Sequence, residues 1–197
     1  DWSSDVCSSD LERIPGQAAY RCADRSSADL QRQKLIHFVS KNALDIEGMG
    51  PKSVEKLQEH TIISNFDDIF EITQGDLEGL ENFGDTSINN LLAAIDGARR
   101  VELPRLLVGL SIPQVGEETA YLLARRFGTL DALADASTEE LEAIDGIGEV
   151  MAHEIYRWFH NPENQKVLSR LRRELTIEKV EAAGASSALS GKTVVLT

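Results

Sequence analysis

The stretch IEGMG, residues 46–50, decides how this 197-residue chain is read. Its form is apolar, any residue, glycine or amide, apolar, glycine. The form returns as LENFG from Leu80, IPQVG from Ile112 and IDGIG from Ile144. Successive starts lie 34, 32 and 32 residues apart, the signature of an internal structural repeat. Counted from each closing glycine, apolar residues stand in register. Val54, Ile88, Ala120 and Ala152 are four residues on, and Leu57, Leu91, Leu123 and Ile155 are seven on. Ile95, Phe127 and Phe159 follow at eleven, with Thr61 the exception. That spacing lays one apolar stripe along a helix. Each unit is helix, tight turn, helix, and the expected fold is all-α, with four such hairpins in tandem over residues 42–178.

The glycines point to what the turns can hold. Glycine takes positive φ at no steric cost and lets another group approach the backbone closely. Where a turn runs into its second helix, the unpaired first-turn amides project at the positive end of the helix dipole, which suits an anion such as a phosphodiester. The arrangement resembles the helix-hairpin-helix motif, which holds a DNA backbone phosphate through its hairpin amides without reading sequence. A packing role is the alternative: the glycines then serve only to bring two helices together. Four copies in register favour DNA. The candidate contacts are Gly48, Met49 and Gly50 in the first hairpin, Gly84 and Gly116 closing the second and third, and Gly146, Ile147 and Gly148 in the fourth. Lys52 and Lys56 add charge beside the first. Gly50 and Gly148 are expected to need positive φ. Asn82 replaces the first glycine of the second copy, and Pro113 with Gln114 weakens the third. Arg99, Arg100, Arg105, Arg125 and Arg126 are further basic candidates, each also explicable as a surface charge.

Composition restrains this reading. The chain is 42% hydrophobic and 27% charged, ordinary for a globular protein, but its formal charge is −13. A protein gripping DNA by bulk charge is usually basic, so any contact here must use local geometry. No apolar run approaches a membrane span, and two cysteines make no disulfide framework. A cytoplasmic location is the default expectation. DWSSDVCSSDL, residues 1–11, has no structural periodicity and matches the one-frame translation of a widely used sequencing adapter. Read as non-native, it removes three aspartates and leaves a charge of −10.

Beyond the hairpins, RCADRSSADLQRQKLIHFVSKNALDIEGMG, residues 21–50, resembles the junction of the tetracysteine zinc finger and the helix-hairpin-helix domain in bacterial NAD-dependent DNA ligases. His37, Phe38, Ser40, Asp45, Ile46, Gly48 and Gly50 carry the match. The similarity runs on through LPRLLVGLSIPQVGEETAYLLARRFGTLDAL, residues 103–133, to the C-terminus. It implies a zinc-finger remnant and connecting helix over 12–41, a linker over 179–188, and over 189–197 the first short β-strand of a truncated BRCT domain. Cys22 takes the third zinc-ligand position, but Ser27 stands at the fourth, so zinc is not expected to bind.

The resemblance also implies a parent enzyme that seals nicks in duplex DNA during replication and repair, using NAD and a divalent metal. Its adenylating lysine lies in a Lys-x-Asp-Gly motif that is absent here; AIDG, residues 94–97, lacks the lysine. A fragment without the adenylation and oligonucleotide-binding domains is expected to bind duplex DNA without catalysis. Gly191-Lys192-Thr193 is not a P-loop, because the upstream glycine is misplaced and a strand-like run follows. The four histidines form no metal-protease spacing, and the pairs Asp67–Asp68 and Glu139–Glu140 suit helix starts. A tandem hairpin module of another repair protein, binding DNA or a protein partner, is the alternative.

Overall fold

The computed structural model describes residues 11–13, 20–22, 28–81 and 83–179. Two strands, β1 (Leu11–Arg13) and β2 (Tyr20–Cys22), pair antiparallel with Leu11 opposite Cys22. Ten helices follow: α1 (Ala28–Val39), α2 (Pro51–Glu59), α3 (Gln74–Leu77), α4 (Asp85–Ala98), α5 (Leu103–Gly109), α6 (Glu117–Phe127), α7 (Leu130–Ala134), α8 (Thr138–Glu142), α9 (Glu149–Phe159) and α10 (Pro162–Glu174). A 3-10 turn spans Asp67–Glu71, and β3 (Arg100–Glu102) pairs in parallel with β4 (Thr176–Glu178). The fold is all-α in substance, with two small strand pairs added. Residues 1–10, Asn82, all but the first residue of the linker expected over 179–188 and the strand expected over 189–197 lie outside the described residues.

The second helices α2, α4, α6 and α9 bury the stripes read from the repeat. Val54, Leu57, Ala120, Leu123, Ala152 and Ile155 are fully buried, and Ile88, Leu91, Ile95 and Phe159 nearly so. Thr61, the outlier, is exposed and has positive φ just past the end of α2. The first helices are unequal: α3, α5 and α8 lead directly into their hairpins, whereas α1 ends at Val39 and a run of turns carries the chain to Ile46. Leu35, Phe38 and Val39 of α1 belong to the same core, so the packed body extends upstream of the boundary expected at residue 42.

Close helix packing does use a glycine, at Gly109. A Cβ there would lie 3.2 Å from Ala43, Leu44 and Phe38, where α5 meets α1 and the turn after it. At the other end, Arg99 fastens the C-terminal region. Its guanidinium donates to the Phe70 carbonyl and the Glu174 carboxylate, both at 2.5 Å, while the Thr176 amide donates to the Arg99 carbonyl at 2.7 Å. Arg170 of α10 adds an ion pair at 3.4 Å to Asp67, whose other carboxylate oxygen is buried without a partner.

Candidate nucleic-acid interface

All four hairpins are built by one hydrogen bond. The amides of Met49, Phe83, Val115 and Ile147 donate to the carbonyls of Ile46, Leu80, Ile112 and Ile144, at 3.1, 3.2, 3.1 and 3.0 Å. Each turn then places its closing glycine as the N-cap of the second helix, and the glycine carbonyl accepts the first helical bond, from Val54, Ile88, Ala120 or Ala152. None of these four N-caps makes a side-chain capping bond. Linking helices elsewhere are capped: Thr129, Ser137 and Asn161 accept from the starts of α7, α8 and α10, and Asp76 accepts from the Thr73 amide at α3. At the repeat-related sites the first-turn amides therefore remain open. In the fourth hairpin these are the amides of Gly148, Glu149, Val150 and Met151. In the first they are those of Gly50, Lys52 and Ser53, since Pro51 has none.

The two glycines of a hairpin have different tasks. Gly48 and Gly146 lie at φ +86° and +91°, in the region where a side chain is strained. Gly50, Gly84, Gly116 and Gly148 are extended, with φ between −79° and −93°. The expectation that Gly50 and Gly148 need positive φ is thus corrected: the first glycine, not the closing one, turns the chain. A Cβ on any of the four closing glycines would meet nothing within 4 Å. Neither backbone strain nor internal packing accounts for glycine there. In the third copy Gln114 takes φ +67°, fulfilling the turn without glycine.

Not every candidate faces outward. The side chains of Met49 and Ile147 are buried and their amides are spent in the turn, so neither offers a donor to a ligand. Lys56 is committed too: its Nζ donates to the Glu81 carbonyl at 2.6 Å. Arg99 is held as described, and Arg105 donates to the carbonyls of Ala43 and Lys41. Arg126 lies over the Phe127 ring. Lys52, Arg100 and Arg125 are exposed, and their side chains make no ion pair or hydrogen bond among the described residues.

Charge ranks the four sites. The first turn of α2 carries no acid and presents Lys52, whereas Asp85, Glu117 with Glu118, and Glu149 stand in the first turns of α4, α6 and α9. Those carboxylates complement their own helix dipoles and repel a second anion. Other polar groups serve the fold. His37 Nε2 lies 3.0 Å from the Val108 carbonyl, Asp68 accepts from the amides of Ser64 and Asn65, and Glu140 completes a capping box with Ser137. Among the described residues no cluster of three metal-binding side chains occurs and no helix is long and apolar enough to cross a membrane. Cys22 lies in β2; Ser27 is outside the described residues.

Repeated hairpins with uncapped, unobstructed second helices define a tandem helix-hairpin-helix module. Residues 105–168, the third and fourth hairpins with their flanking helices, match the family model described as a helix-hairpin-helix motif. Over 98% of its length the chain is 38% identical to a DNA ligase of Exiguobacterium sibiricum, and over 97% it is 39% identical to a DNA ligase of Heliobacterium modesticaldum. The chain spans 29% of the length of these two relatives.

Proposed function

We propose that this chain is the DNA-holding segment of an NAD-dependent, nick-sealing ligase, and that it binds the duplex backbone without itself carrying out catalysis. The observation that carries the reading is the set of four closing glycines. They leave helix amides uncapped, and their side-chain positions are open to approach from outside. The first hairpin, with Lys52, is the strongest grip, and the acidic balance keeps overall binding weak. The adenylation and oligonucleotide-binding domains of a parent chain are the proposed partners, NAD and a divalent metal belonging to their chemistry. We place no zinc at Cys22, which cannot close a tetrahedral site alone; elemental analysis of the untagged protein tests this.

The deciding experiment is a salt titration of binding to a nicked duplex by wild type, Gly148→Val and Lys52→Ala, each checked for folding. Binding by wild type that weakens in both variants supports the proposal. Absence of wild-type binding at low salt, or full binding by both folded variants, defeats it. The acids at three of the four helix starts favour a second reading, a module that docks a protein partner, and that reading gains if DNA binding is absent.

A further inference from the structure

Val150 is the apolar side chain most out of place on this surface. It is 64% exposed, against 39% for Tyr121 and 38% for Tyr156, the other exposed large hydrophobics among the described residues. It lies off the buried stripe of α9, which runs through Ala152, Ile155 and Phe159. The repeat supplies its counterparts: two residues after the closing glycine stand Lys52, Thr86, Glu118 and Val150, and only the last is apolar. It stands two residues after Gly148, the last of the residues 142–148 that line a shallow, open depression at the turn of the fourth hairpin.

We propose that Val150 contacts deoxyribose, packing on the C–H face of the sugar beside the phosphate held at the fourth hairpin. This rests on the DNA-binding reading above and adds a second kind of contact to it. The Val150 amide is one of the open donors of that first turn, so a phosphate seated there brings its flanking sugar to the Val150 side chain. Such a contact has a clear energetic place. Glu149 and Asp145 are exposed on the same hairpin and oppose phosphate, and no lysine stands where Lys52 stands in the first. Covering an exposed valine with apolar sugar carbon supplies affinity that does not depend on counterion release.

The test is the affinity of the full chain for a short nicked duplex across a range of salt, for wild type and Val150→Ala. Removing two methyl groups from a covered contact is expected to weaken binding roughly five- to tenfold at every salt concentration, leaving the salt slope and the melting temperature unchanged. Val150→Lys is expected to bind more tightly than Val150→Ala at low salt, with a steeper slope. Wild-type binding with Val150→Ala within twofold overturns the inference, as does a loss accompanied by a flatter slope, which marks a disturbed phosphate grip. Failure of wild type to bind at low salt instead overturns the underlying DNA reading.

Discussion

The Lys56 ammonium donates to the Glu81 carbonyl at 2.6 Å, tying the second helix of the first hairpin to the turn of the second. Lys52, one helical turn earlier, reaches no partner among the described residues. Two lysines on one helix thus divide between fastening the fold and meeting the solvent. Lys56→Ala is expected to lower stability by roughly 0.5–1.5 kcal/mol, the worth of a hydrogen bond, with an unchanged salt slope of DNA binding. Lys52→Ala is expected to leave stability alone and flatten that slope by about one phosphate contact. Thermal melts and salt titrations of the pair decide this; a flattened slope in Lys56→Ala contradicts the division.

The glycine pairs separate in the same way. Gly146→Ala places a side chain at φ +91° and is expected to cost about 1–2 kcal/mol. Gly148→Ala puts a Cβ into open space on extended backbone, so its stability should stay within about 0.5 kcal/mol of wild type while DNA binding falls. Chemical denaturation checks the first half and binding to nicked duplex the second. Equal destabilisation by both changes removes the argument that the closing glycine is kept open for a ligand.

Arg170→Ala leaves the largely buried Asp67 carboxylate without its ion-pair partner. A loss of roughly 1–3 kcal/mol is expected, with Asp67→Asn,Arg170→Ala recovering part of it because the stranded charge is gone. A double-mutant cycle in urea measures the coupling, and additive losses refute it.

Asp76 gives a pH prediction. Hydrogen bonds from the Thr73 hydroxyl and then the Thr73 amide hold its carboxyl below the ordinary aspartate range. A lowered folded pKa stabilises the fold above the unfolded value, and this contribution is lost as pH falls through the folded one. Thr73→Ala removes the hydroxyl donor, so the Asp76 titration should move upward, and the acid-sensitive part of the stability should become smaller and be fully lost at a higher pH than in wild type. Carboxyl NMR titration reads the shift; an unmoved Asp76 refutes the assignment.

Much of this was legible in the letters because the repeat imposes register. Leu57, Leu91, Leu123 and Ile155 stand seven residues after a closing glycine, and all are buried. The site was legible only in outline. Sequence cannot show that Gly48 turns the chain while Gly50 merely stays bare, because the two letters are the same and their φ angles are not. Nor does it reveal that Lys56 is engaged while the Lys52 side chain has no partner among the described residues, since both lie on α2 and the partner of Lys56 comes from the next hairpin. Val150 did leave a signal, as the one apolar residue in its register column. The pairing of β3 with β4 left none, because three-residue strands far apart in the chain have no period of their own.

That pairing changes how the molecule must be made. A string of hairpins could in principle mature one after another as it leaves the ribosome, each unit resting on the last. Here Arg100 pairs with Thr176, and Asp67 meets Arg170 across 103 residues, so the earlier hairpins are fastened by a segment synthesised after all four of them. A nascent chain that has emerged only as far as α9 has nothing to offer Asp67 or the edge of β3. The repeat is linear in sequence but closed in space, and its maturation waits on α10 and β4.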